Sequence, residues 1–208
     1  MIIVMARWPV LGQGKSRLAA QVGLQKAHEI HLLLFNHALK EFARHADGCV
    51  VALTGQRHDA IEVTEQMSEL RVISQRGSDL GHRMLNAIED SRIWWGAGRP
   101  ITLVGTDMPD LTLEHVKRAE KRVCSGVDAA VVPALDGGFG LMSMLEWPRD
   151  LWRHVPWGTD QVWPLIQKKM SAKGLTFWAD SPEQDVDTQM DWNSICSKHA
   201  TFADYGHI

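Results

Sequence analysis

Short apolar runs alternate with amphipathic helical stripes along nearly the whole chain, and this alternation restricts the fold more than any other feature. Ile2 to Met5, Cys49 to Leu53, Leu70 to Ser74, the run ITLVGTD ending at Asp107, Ala129 to Pro133, Leu141 to Leu145 and Leu175 to Ala179 read as strands. Between them lie segments with helical spacing. Residues 24–44 place Ala27, Ile30, Leu34, Ala38 and Phe42 on one face, and Gly48 follows as a stop. A weaker helix is expected over 61–69. Residues 80–95 are striped by Leu80, Met84, Ala87 and Ile88, and the next helix by Leu113, Val116, Ala119 and Val123. A further helix is expected from about Thr159, kinked or delayed by Pro164, and a last one over 188–197. Strands alternating with helices predict an α/β fold: a Rossmann-like three-layer sandwich around a mostly parallel central sheet.

The chain has 208 residues, enough for one fairly large domain, and its 45% hydrophobic content suits a real core. We expect a single domain over residues 1–198 and a C-terminal tail over 199–208. A net charge of -3 gives no general attraction to nucleic acid or anionic membrane. Cys49, Cys124 and Cys196 are isolated, which argues against a zinc site or a disulfide scaffold and fits a reducing cytoplasm. The N-terminal residues do not read as a signal peptide, and no apolar run reaches the roughly 20 residues of a membrane span.

Five segments carry residues suited to chemistry. The loop ARWPVLGQGKSRLA follows a strand and precedes a helix, so its backbone N–H groups, with Arg7, Lys15 and Arg17, can face phosphate. Gly12 and Gly14 allow close backbone approach. Gly14-Lys15-Ser16 imitates a P-loop, but that motif needs a glycine where Pro9 stands. In Gly105-Thr106-Asp107-Met108-Pro109-Asp110 an acidic residue sits at a strand's carboxyl end, where parallel sheets place ligands. Asp107 there can hold Mg²⁺ or Mn²⁺ against a diphosphate. Asp110 or Thr112 reads as a helix cap. Asp136-Gly137-Gly138-Phe139-Gly140 reads as a hairpin turn, and Thr159 or Asp160 in Trp157-Gly158-Thr159-Asp160 as a helix start. Asp185-Val186-Asp187-Thr188 reads as a metal-binding pair or a cap. Asp79 reads as a cap with Arg83 one turn on, facing ligand or solvent. Trp147, Trp152, Trp157 and Trp163 read as packing, a stacking surface for base or sugar, or a homodimer patch; Trp157 lies inside a motif. His28, His31 and His37 read as surface or packing residues.

In this order the segments resemble bacterial transferases of the glycosyltransferase A (nucleotide-diphospho-sugar transferase) fold, the radical-SAM or selenodomain-associated group that includes arsenosugar-biosynthesis glycosyltransferases. The pattern Ala-Lys-x-Pro-x-Pro-Gly-x-x-Lys-Thr-Arg-Leu matches Ala6 to Leu18, with Arg7 for lysine and Leu11 for proline. The later signatures match Asp79-Leu80-Gly81 with Arg83-Met84, Gly105-Thr106-Asp107 with Pro109, Asp136-Gly137-Gly138, Trp157 to Asp160 and Asp187-Thr188. Phe139 stands where that group has tyrosine, and Gly140 where a bulky residue is common. The group is similar to the guanylyltransferases of molybdenum-cofactor and phospholactate chemistry.

The resemblance implies a nucleotide over the first loop, contacted by Ala6, Arg7, Gly12, Gly14, Lys15, Arg17, Asp79 and Arg83. It implies Mg²⁺ or Mn²⁺ on Asp107 and Asp187. The acceptor would meet Gly137, Gly138, Phe139, Trp157 and Thr159. The expected activity is metal-dependent transfer of a glycosyl or nucleotidyl group from a nucleotide sugar or nucleoside triphosphate to a small acceptor. Lys15 and Asp107 would act on the phosphates, and Asp136 or Asp160 on the acceptor. The alternative is a catalytically silent nucleotide-binding or regulatory module.

Overall fold

The computed structural model describes residues 1–54, 70–96 and 98–203. The helix expected over 61–69 and the end of the expected tail, 204–208, lie outside them. Seven strands form one sheet: β1 (Ile2–Arg7), β2 (Cys49–Thr54), β3 (Arg71–Ser74), β4 (Ile101–Val104), β5 (Ala129–Pro133), β6 (Phe139–Met144) and β7 (Phe177–Ala179). Their spatial order is β3-β2-β1-β4-β6-β5-β7. Every pairing is parallel except those of β6, which runs antiparallel to both β4 and β5. The Asp136 segment is the turn joining β5 to β6, and this hairpin inserts β6 beside β4. The mostly parallel three-layer sheet is the predicted one.

Strand residues alternate between faces, so each strand supplies two cores. Ile3, Val50, Leu103 and Met142 face one layer, formed by α3 (Leu80–Trp95), a 3-10 turn (Arg149–Trp152) and α5 (Val162–Ala172). Ile2, Val51, Val104 and Val132 face the other, under α2 (Leu24–Phe42) and α4 (Leu113–Cys124). A third cluster joins α1 (Ser16–Val22), the first half of α2, α6 (Gln189–Lys198) and α7 (Ala200–Ala203), with Trp192 at its centre. It anchors the helix after the first loop to the end of the described chain.

Several boundaries differ from the sequence reading. α2 ends at Phe42, and Gly48 serves instead in the turn into β2, where a Cβ would lie 3.1 Å from Trp95. β4 ends at Val104, three residues before Asp107, and the Gly105 N–H still donates to the Gly140 carbonyl of β6 at 2.9 Å. α5 starts at Val162, so Pro164 falls in its first turn, where a missing N–H leaves nothing unpaired. Packing continues past residue 198: Phe202 is buried and His199 pairs with Asp110. Thr112, not Asp110, caps α4 through a capping box with His115. Trp147, Trp152 and Trp163 are buried, so packing describes them. No described helix is long and apolar enough to cross a membrane.

Candidate functional site

The carboxyl ends of β1, β4 and β5 and the start of β6 surround a cavity of about 630 Å³. One end of it is the first loop. Gln13 donates its N–H to the Val10 carbonyl at 2.9 Å, closing a tight turn. Gly12, Gly14 and Lys15 follow in left-handed conformations, with φ of 79°, 75° and 47°. For lysine that backbone state costs roughly 1–2 kcal/mol. Space is tight at Gly14 as well, since a Cβ there would sit 3.3 Å from both Arg7 Cδ and His31 Cε1.

The strained turn sends Lys15 across the sheet ends. Its side chain is 5% exposed, and its ammonium lies 2.8 Å from Asp107 Oδ1 and 3.5 Å from Asp187 Oδ1. It also donates to the Val186 carbonyl at 2.6 Å. The Val186 N–H in turn donates to the Asp107 carbonyl at 2.9 Å, locking the two carboxylate loops together. Asp187 is steadied from behind. The Asp191 carboxylate accepts the N–H groups of Asp187 and Thr188, at 3.1 and 2.7 Å, in the capping box that starts α6. Arg17 lies 3.3 Å from Asp187 on the solvent side.

One cationic point therefore reaches both carboxylates, and hard oxygen donors of this kind suit Mg²⁺ or Mn²⁺. Among the described residues no group of three or more His, Cys, Asp or Glu forms a cage. Two carboxylates completed by substrate phosphates are the usual arrangement for Mg²⁺, so the donor set fits the implied ion.

Two further residues line the cavity: His31, which the sequence suggests as a surface or packing residue, and Asp185, which it suggests as a metal ligand or a cap. His31 is 4% exposed on the buried face of α2. Burial holds its pKa below the ordinary value and outweighs the pull of Asp107. The signal was its place on the apolar stripe, four residues after Ala27, which reads equally as packing. Asp185 also lines the cavity. Burial, then the nearby Asp136 and Asp187 carboxylates, push its pKa up to about 6.

The other half of the cavity is built from Asp136, Gly138 and Phe139 of the hairpin, Leu80 and Met84 of α3, and Trp157, Thr159 and Val162. The Asp136 carboxylate accepts the Gly138 N–H at 2.9 Å, fixing the turn. Gly137 does not line the cavity; its backbone presses on that of Asp160, and its carbonyl accepts the Trp163 N–H at 2.8 Å.

Arg7, Gly14, Lys15, Asp107, Asp136, Gly138, Phe139, Trp157, Thr159 and Asp187 thus meet around one space. Other expected residues stand apart from it. Ala6 is buried in the sheet core, and Gly12 shapes the turn behind Lys15. Asp79 caps α3 and binds His82, while Arg83 donates to the Gly77 carbonyl at 3.4 Å. Asp160 is exposed and accepts from Gln161.

Residues 38–159 match the family described as "Uncharacterized protein conserved in bacteria (DUF2064)", and since they make up more than half of the chain, the chain belongs to that family. The match includes Asp107 and the Asp136 hairpin; the first loop and Asp187 lie outside it. No curated protein matches the sequence. A crystal structure from Desulfovibrio desulfuricans G20, assigned as a nucleotide-diphospho-sugar transferase, is similar with a TM-score of 0.86 and 26% identity, covering 97% of this chain and 91% of that one. The structure of CMP:2-keto-3-deoxy-manno-octonic acid synthetase complexed with CTP gives 0.57 at 14% identity, covering 99% of each chain. Glucosyl-3-phosphoglycerate synthase from Mycobacterium tuberculosis, solved with Mn²⁺, UDP-glucose and phosphoglyceric acid, gives 0.54 at 11% identity, covering 97% and 79%. The last two share the fold alone. The fold is that of the nucleotide-diphospho-sugar transferases.

Proposed function

We propose that this member of the DUF2064 family is a metal-dependent transferase that moves a glycosyl or nucleotidyl group from a nucleotide sugar or nucleoside triphosphate to a small acceptor. The observation that carries the reading is the buried Lys15 ammonium placed between Asp107 and Asp187 at the sheet's carboxyl ends. The finer kinship with radical-SAM-associated and arsenosugar transferases belongs to the same proposal. It rests on the motif order, and the structural neighbours that bind CTP or UDP-glucose with Mn²⁺ support the broader reading.

In this reading Arg7, Lys15 and the N–H groups around Gly14 hold the phosphates, with Arg17 at the rim. Asp107 and Asp187 hold Mg²⁺ or Mn²⁺, which would neutralise charge on the diphosphate. His31 lines the same end of the cavity. An acceptor hydroxyl lying along the Phe139 and Trp157 side gives its proton to Asp136. Its oxygen then forms a bond either to the anomeric carbon, releasing the nucleotide, or to the α-phosphorus, releasing pyrophosphate. Most of the rate enhancement comes from positioning and fixed charge.

The test is a panel of nucleoside triphosphates and nucleotide sugars incubated with Mg²⁺ or Mn²⁺ and pooled hydroxyl acceptors. Metal-dependent pyrophosphate release identifies nucleotidyl transfer, and nucleoside diphosphate release identifies glycosyl transfer. Donor binding without either product across the panel is the result expected of a silent nucleotide-binding module and contradicts the proposal.

A further inference from the structure

The cavity divides by chemistry along the sheet order. Beneath β1 and β4 lie Arg7 and Lys15, the fixed cations among its described lining residues. Toward β6 and β5 the charged lining groups are carboxylates: Asp136 of the hairpin and Asp185 of the segment before α6. Lys15 does not offset them freely, since Asp107 and Asp187 take its charge.

The same half is flat and apolar. Trp157 is half-buried on the cavity wall and stacks on Trp152 at 6.3 Å and 9° between planes. Trp152 is itself stacked on Trp147 at 5.3 Å and tilted against Phe139 at 6.2 Å. Gly81 seats the α3 backbone against this stack, where a Cβ would lie 3.0 Å from Trp157 Cζ2. The indole is therefore held in place before any ligand arrives, which lowers the ordering cost of stacking on it. Leu80, Met84 and Val162 continue the surface. Below it, Gly140 makes room for Met108, whose Sδ would lie 1.8 Å from a Cβ at position 140. A rigid ring face beside adaptable thioethers favours a flat apolar ligand.

We propose that this half of the cavity takes an uncharged or cationic hydroxyl compound with a flat apolar face, stacked on Trp157 with its polar end toward Asp136, and excludes carboxylated or phosphorylated ones. An anionic acceptor would set its negative charge beside the Asp136 carboxylate, and like charges repel. Assigning this ligand to the acceptor role rests on the transferase reading above; its binding does not.

Three probes that share one ring isolate the charge: 4-hydroxybenzyl alcohol, 4-hydroxybenzylamine and 4-hydroxybenzoate, titrated onto the full chain without nucleotide and followed by saturation-transfer NMR. The alcohol and the amine are expected to bind, and the benzoate at least about tenfold more weakly. Trp157→Ala is expected to weaken the alcohol about two- to tenfold, the range of an aromatic stacking contact. Trp157→Phe should retain most of the binding and guards against a folding defect. Asp136→Asn is expected to narrow the gap between alcohol and benzoate. Benzoate binding as tightly as the alcohol, an alcohol affinity indifferent to Trp157→Ala in a folded variant, or no binding of the alcohol would overturn the proposal. So would displacement of the alcohol by a nucleoside, which assigns the wall to the base. Probe binding in a protein that takes up no metal–nucleotide would leave this site standing and remove the transferase reading.

Discussion

Lys15→Met is expected to lower turnover by about 10²- to 10³-fold, the loss typical of removing one preorganised donor from a developing oxyanion. The methionine nearly fills the space of the buried stem but removes the ammonium that meets Asp107, Asp187 and the Val186 carbonyl. Two carboxylates drawn together around one cation then face each other without it, and their mutual repulsion is relieved by another positive ion. The same variant is therefore expected to bind Mn²⁺ more tightly than the wild type when no nucleotide is present, as read by electron paramagnetic resonance. Lys15→Arg keeps the charge but not the room: a planar fork does not fit a side-chain position that is 5% exposed, so most of the loss should remain. Turnover within threefold of the wild type for Lys15→Met contradicts the placement of this ammonium on the phosphates.

Gly137→Ala is expected to destabilise the protein by about 3 kcal/mol, adding roughly 1–2 kcal/mol of left-handed backbone strain to an overpacking penalty of similar size. Gly137 has φ +89°, and a Cβ there would stand 2.2 Å from the Asp160 carbonyl oxygen, a backbone atom that cannot swing aside. The hairpin turn and the loop carrying Trp157 and Thr159 would have to separate, opening the cavity wall on the acceptor side. For a chain of this size, about 3 kcal/mol corresponds to a fall in melting temperature of roughly 6–12 °C. Gly12→Ala is the control. Its φ of +79° gives similar strain, but no atom lies within 4 Å of the new Cβ, so about 1–2 kcal/mol is expected. Equal losses for the two variants in urea denaturation contradict the close approach of the two loops.

The sequence carried the architecture because buried parallel strands have a plain signature. Ile2 to Met5, Cys49 to Leu53 and Ala129 to Pro133 are continuous apolar runs, and each is a strand with nearly every residue buried. The helical stripes from Leu24, Leu80 and Leu113 were equally legible, since 3.6-residue spacing survives in any well-packed layer. The insertion of β6 was not legible. An Asp-Gly-Gly turn announces a hairpin, but nothing local says that the returning strand lies next to β4.

The site was half visible for the same reason. Lys15, Asp107 and Asp136 announce themselves by local context, as a loop cation and acids beside strand ends. The union of Lys15 with Asp107 and Asp187 depends on a backbone bond between loops distant in sequence, which only the family resemblance suggested. His31 was hidden because a histidine on an apolar stripe looks like packing. For Asp185 the sequence leaves a metal ligand and a cap open; Thr188 performs the capping, and Asp185 lines the cavity. Asp79 caps α3, as its place before the helical stripe suggests, and Arg83 donates to the Gly77 carbonyl outside the cavity lining.

The most direct measurement is isothermal calorimetry of the wild type and Asp107→Ala. The titrant is whichever nucleotide or nucleotide sugar gives the largest Mg²⁺-dependent thermal shift, added with Mg²⁺ and again with chelator. The wild type is expected to bind far more tightly with Mg²⁺ than without it. Asp107→Ala is expected to bind with the same weak affinity in both, since the remaining cations of the first loop still attract phosphate but no carboxylate pair holds the ion. Metal-dependent binding of wild-type strength in folded Asp107→Ala would contradict the assignment of this cavity as a metal–nucleotide site.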